Sequence, residues 1–113
     1  MKASELRIGN LIEFHRKIEL IKGIEDDWVG LSKSYRVPLN ALGLNPIELT
    51  EEWLIKMGFG DTGNKKWIHG KFGFSLIKGF KFYKSGVLPE VKYVHQLQNL
   101  YFALTGEELT IKN

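Results

Sequence analysis

Tyr93–Gly106 reads YVHQLQNLYFALTG, fourteen residues without a formal charge in a chain of 113 residues that carries 29 Lys, Arg, Asp and Glu. Val94, Leu97, Tyr101 and Leu104 recur at i, i+3, i+7 and i+10, the spacing of a helix with one buried stripe. Tyr93 and Leu100 widen that stripe, and Gly106 supplies a left-handed stop. The opposite face is the unusual one. A helix ending a small domain ordinarily shows Glu and Lys to water, but here His95, Gln98, Asn99 and Phe102 form a second helical stripe. Amides and an imidazole lose far less on burial than a charge does. This face therefore fits contact with a partner protein or a second copy, with Phe102 as the anchor. It equally fits a sandwich against the chain's own N-terminal strands.

Outward from that helix, the chain alternates between β and α signals. Leu11, Ile12 and Phe14, then Ile18, Leu20, Ile21 and Ile24, are bulky apolar residues broken by charges. Gly9-Asn10 and Glu25-Asp26-Asp27 carry turn chemistry, followed by strands at Trp28–Leu31 and Arg36–Leu39. A small curled sheet of the SH3-like barrel kind is the expectation for residues 1–45. Ala41–Ile47 reads as a turn-rich connector. Thr50 is an N-cap for a short helix over Glu51–Met57, ended by Gly58, with Glu51 and Glu52 complementing the dipole. A second β section follows a turn at residues 60–64. Phe72, Phe74, Leu76, Phe80 and Phe82 alternate onto one face of it, and Pro89 leads into the last helix. Leu109–Ile111 could add a strand. The expected fold is one α+β domain over residues 1–113, with small antiparallel sheets, one short middle helix and one C-terminal helix.

Size and composition bound the rest. A core in a chain of this length already buries most of the unfolded surface. The absence of cysteine removes disulfides and thiolate chemistry. The first ten residues, MKASELRIGN, lack a secretory h-region, and no apolar run reaches membrane-spanning length. A cytoplasmic protein is expected. Net charge is uneven: residues 1–61 hold ten acids and eight bases, residues 62–113 three acids and eight bases. Lys65, Lys66, Lys71, Lys78, Lys81 and Lys84 fall in an acid-free segment, which suits nucleic acid, another anionic partner, or simply a solvated sheet face.

Chemical motifs give little support to catalysis. Gly58–Gly63 matches G-x-G-x-x-G, but a dinucleotide site needs the strand before and the helix after, and here the order is reversed. Gly73-Phe74-Ser75-Leu76-Ile77 starts like a nucleophile elbow and lacks its second glycine. His15, His69 and His95 lie far apart without acids at ligand spacing, and Glu25–Asp27 lacks the alternation of a calcium loop. Lys78-Gly79-Phe80-Lys81-Phe82 opens like an RNA-recognition strand, with Lys81 where a small residue belongs. No cofactor, metal or catalytic residue is expected.

Three segments, Glu5–Asn10 (ELRIGN), Ile47–Phe59 (IELTEEWLIKMGF) and Lys92–Leu109 (KYVHQLQNLYFALTGEEL), together resemble a group of small uncharacterised proteins. These are encoded in Bacteroidales genomes, their phages and other mobile elements. The resemblance covers about a third of the chain and implies a bacterial or phage cytoplasmic protein. It carries over no activity. The expected role is a non-catalytic interaction protein, a phage or mobile-element accessory or counter-defence factor, acting through the C-terminal helix or by sequestering a small anionic ligand. Nucleic-acid binding through residues 65–84 is the alternative.

Overall fold

The structure, a computed structural model, describes residues 3–31, 36–61, 67–69, 74–77, 81–83 and 87–111; for residues 61, 74–77, 81–83 and 87–89 only the backbone is described. After a 3-10 turn at Ala3–Glu5 come β1 (Leu11–Phe14), β2 (Lys17–Glu25), β3 (Trp28–Leu31), β4 (Arg36–Pro38) and β5 (Leu44–Asn45). Helix α1 (Glu51–Lys56) precedes β6 (Phe59–Asp61), β7 (Trp67–His69), β8 (Phe74–Ile77), β9 (Lys81–Tyr83) and β10 (Val87–Glu90), and α2 (Val94–Thr105) follows. The fold is α+β. Two antiparallel sheets form, in the orders β4-β3-β2-β1-β5 and β10-β9-β8-β7-β6. Among the described residues, no helix is long and apolar enough to cross a membrane.

The first sheet does not close. β4 and β5 remain its edges, so the SH3-like barrel expected at the N-terminus is replaced by an open sheet. Its inner face carries Ile12, Ile21, Val29, Leu31 and Val37, buried with Leu6 and Leu44 as one core. β1 and β2 are joined by His15-Arg16, both at positive φ (48° and 66°), which matches the strand twist as a type I′ hairpin turn does. A register shift between Ile21 and Gly23 accommodates Lys22 as an extra residue against β3.

The second core joins α1, α2 and the second sheet. Leu54 and Met57 of the α1 region, Phe59, Trp67, and Val94, Leu97 and Tyr101 of α2 are buried together with Leu109. Thr50 caps α1 as its sequence implies, its Oγ1 accepting from Trp53 N–H at 3.3 Å, and Gly58 follows at φ 92°. The start of α2 is clipped to the connector: Val94 N–H donates to Ile47 O at 2.8 Å and Leu49 N–H to Lys92 O at 2.9 Å. Gly106 adopts φ 75° and closes the helix on Phe102 O.

Several local expectations change. The connector contributes β5, because Leu44 can turn inward when Asn45 and Leu44 pair with Glu13 and Phe14. Gly60 and Asp61 lie in β6 rather than in a turn, paired with Ile68 and Trp67. Pro89 lies in β10, an edge strand, where its missing N–H costs no ladder bond. Leu104 is 46% exposed, beyond the reach of the core, while Leu109 is buried in it without forming a strand.

Candidate functional site

The polar face of α2 points into the domain. His95 and Gln98 are each 2% exposed. Gln98 Oε1 accepts from Leu11 N–H at 2.8 Å and its Nε2 donates to Gly9 O at 3.2 Å, so one side chain closes the entry to β1. Asn99 Oδ1 accepts from Asn10 Nδ2 at 2.8 Å and from Arg7 Nε at 3.2 Å, and its Nδ2 donates to Glu5 O at 3.1 Å. Arg7 pairs with Glu108 through both guanidinium NH groups and lies 4.2 Å over the Phe102 ring. His95 and Gln98 therefore lie in an internal seam, Asn99 bonds it from a half-buried position, and Phe102 stays 39% exposed. The reason is the backbone of residues 5–11, whose polar groups need amide partners once α2 covers them.

His95 is the exception within that seam. Its ring stacks on Tyr93 at 5.8 Å, and its Nδ1 is buried without a hydrogen-bond partner among the described residues. Burial holds its pKa below the ordinary imidazole value, opposed by the carboxylate of Glu5.

The basic section gives no geometry to build on. Lys65, Lys66, Lys71, Lys78 and Lys84 lie outside the described residues, and Lys81 is placed in β9 by its backbone alone. The phenylalanines at 72, 74, 80 and 82 fall under the same limit. Among the described residues no three metal-capable side chains group together.

The structure instead draws attention to the outer face of the first sheet. Register places Pro38, Trp28 and Glu25 in one cross-strand row, Arg36, Gly30 and Gly23 in the next, and Leu20 opposite Leu11 further along. Among the described residues, α2 packs on this face at β1, where Leu11 joins its core. The part formed by β2, β3 and β4 stays open, with Ile18 44%, Leu20 36% and Trp28 41% exposed. Where covered and open parts meet, Ile8, Leu11, Leu20, Leu109 and Ile111 line an apolar groove of about 430 Å³, with Gln98 beside it. Ile8, 59% exposed, also borders a second depression of about 340 Å³ that runs over Gly23 and Gly30 to Trp28.

The two glycines are what leave this floor bare. Neither sits at positive φ, and a Cβ on Gly23 would meet nothing within 4 Å. A Cβ on Gly30 would make only ordinary contacts, the nearest 3.6 Å from Gly23 N. Backbone conformation thus does not demand glycine at either position. Glycine inside a strand often marks a bulge, as the register shift beside Gly23 does, or close approach by another chain or a ligand. That alternation, with a tryptophan two residues before Gly30, was the available sequence signal for this surface.

No protein-family model, curated protein or solved structure matches the chain.

Proposed function

We propose that this is a non-catalytic interaction protein that docks an extended segment of a partner protein along the open outer face of its first sheet. The observation that carries this reading is a pair of depressions meeting at Ile8, one lined by Leu20 and Ile111, the other running over the Gly23–Gly30 pair to Trp28. Grouped exposed apolar side chains of this kind mark contact surfaces more often than isolated ones do. This trough, with the glycine pair as floor and both apolar and charged side chains along it, suits a stretched chain with side chains alternating into the two depressions.

The resemblance to small Bacteroidales and mobile-element proteins supports an accessory or counter-defence role in a bacterial cytoplasm. Its three segments meet in space: Arg7 and Asn10 bond Asn99, and α1 packs in one core with α2. On this reading the shared segments supply the frame, and β2–β4 supply the specificity.

The test is to pan the protein against a random peptide display library and measure binding of the enriched peptides to wild type and Leu20→Glu. Peptides that bind wild type and lose binding to the variant support the docking face. Enrichment indifferent to Leu20→Glu and to Ile8→Glu overturns it. Concentration-dependent self-association abolished by Leu20→Glu would assign the face to a second copy instead.

A further inference from the structure

The Trp28 end of the trough has a chemistry that the rest of it lacks. Trp28 is the first residue of β3 and sits directly after the turn residues Asp26 and Asp27. Its neighbours Val29 and Leu31 are 0% and 1% exposed and fix the strand against the core, so the indole is presented from a rigid base. Trp28 also borders a third depression, of about 610 Å³, lined by Ala3, Asp26, Asp27, Pro38, Leu39 and Asn40. No lysine or arginine lines that depression among the described residues. Glu25 is neutralised by Arg36 at 3.2 Å, whereas Asp26 and Asp27 have no ion pair among the described residues. An exposed indole beside two carboxylates that have no ion pair among the described residues is complementary to a cation: the ring face attracts it through its quadrupole, and the carboxylates add charge.

We propose that this end of the face takes a lysine or arginine side chain of the docked segment. The cation lies over the Trp28 indole against Asp26 and Asp27, and the adjoining residues of the segment cross Gly23 and Gly30. Arg36, already held by Glu25, flanks the floor without opposing the cation at the turn. The inference rests on the docking-face reading and adds to it the partner's chemistry: a basic residue next to apolar ones.

The experiment uses the full chain and the peptides enriched from the random library, with affinities measured by fluorescence anisotropy. The enriched peptides should share a Lys or Arg beside an apolar residue. Replacing that residue by Gln, or using Trp28→Ala or Asp26→Asn/Asp27→Asn, should weaken binding about tenfold. The effect of the Asn pair should shrink at high salt, where exposed charges are screened. Circular dichroism establishes that each variant is folded, and the Asn pair, lying in an exposed turn, keeps the test open if Trp28→Ala is unstable. Peptides that depend on Leu20 but carry no basic residue, or that ignore both Trp28→Ala and the Asn pair, overturn this inference and leave the docking face standing. Peptides that ignore Leu20, Ile8 and Trp28 alike overturn both.

Discussion

Gln98 bonds the backbone of Leu11 as a neighbouring strand would, its Oε1 accepting the Leu11 N–H at 2.8 Å while its Nε2 reaches Gly9 O at 3.2 Å. A side chain of α2 thereby supplies the partners that the chain entering β1 would otherwise lack. Gln98→Leu keeps the approximate volume and strands both backbone groups in a dry seam. Stability should fall by about 1–3 kcal/mol in urea denaturation. A loss below about 0.5 kcal/mol would mean that water satisfies Leu11 and Gly9 in its place.

Arg7 makes three kinds of contact at once, to Asn99, to Glu108 and to the Phe102 ring, and Glu108 makes one of them. The ion pair is partly exposed, so solvent screening limits it. Glu108→Ala should therefore cost no more than about 1 kcal/mol, and Arg7→Ala about 1–2 kcal/mol. A double-mutant cycle checks the ordering. Equal losses from the two single variants would show that the salt bridge outweighs the contacts to Asn99 and Phe102.

His95 gives the fold an acid-side weakness. Because burial lowers its folded pKa, the unfolded chain takes up the proton first as pH falls. Its contribution is complete above the unfolded value of about 6.5 and is lost progressively from there down to the lower folded value. His95→Phe keeps a ring against Tyr93 and removes both the titration and the unpartnered Nδ1. Stability measured from pH 7 to 5 should decline less steeply in this variant than in wild type. Identical slopes would exclude His95 as the source.

The His15-Arg16 turn holds two non-glycine residues at positive φ. Arg16→Gly should raise stability by about 0.5–1 kcal/mol, since a side chain in left-handed backbone is strained and glycine is not. Gly43→Ala should do the opposite. Gly43 sits at φ 88°, and an added Cβ would lie 2.6 Å from His15 Nδ1. Thermal unfolding of the two variants should shift the midpoint in opposite directions.

Much of the local structure was readable because its signals are local. Thr50 and Gly58 bound α1, Gly106 ends α2, and bulky apolar runs broken by charges mark β1–β4 as strands. β5, β6 and β10 were less readable for a common reason. Two- to four-residue strands near glycine or proline carry almost no periodicity, and they exist because a neighbouring strand offers a ladder. The trough escaped notice because Gly23 and Gly30 become a single floor only through cross-strand register.

The sequence by itself determined the α+β class, both helices with the Thr50 cap and their glycine stops, and the fact that the second face of α2 avoids charge. Tertiary structure decided what that face meets. Helical spacing can state that His95, Gln98 and Asn99 share a side, but whether water, a partner or residues 5–11 cover it depends on contacts about ninety positions apart in the chain. Those contacts form because the backbone entering β1 leaves polar groups that only a long amide side chain can reach across the seam.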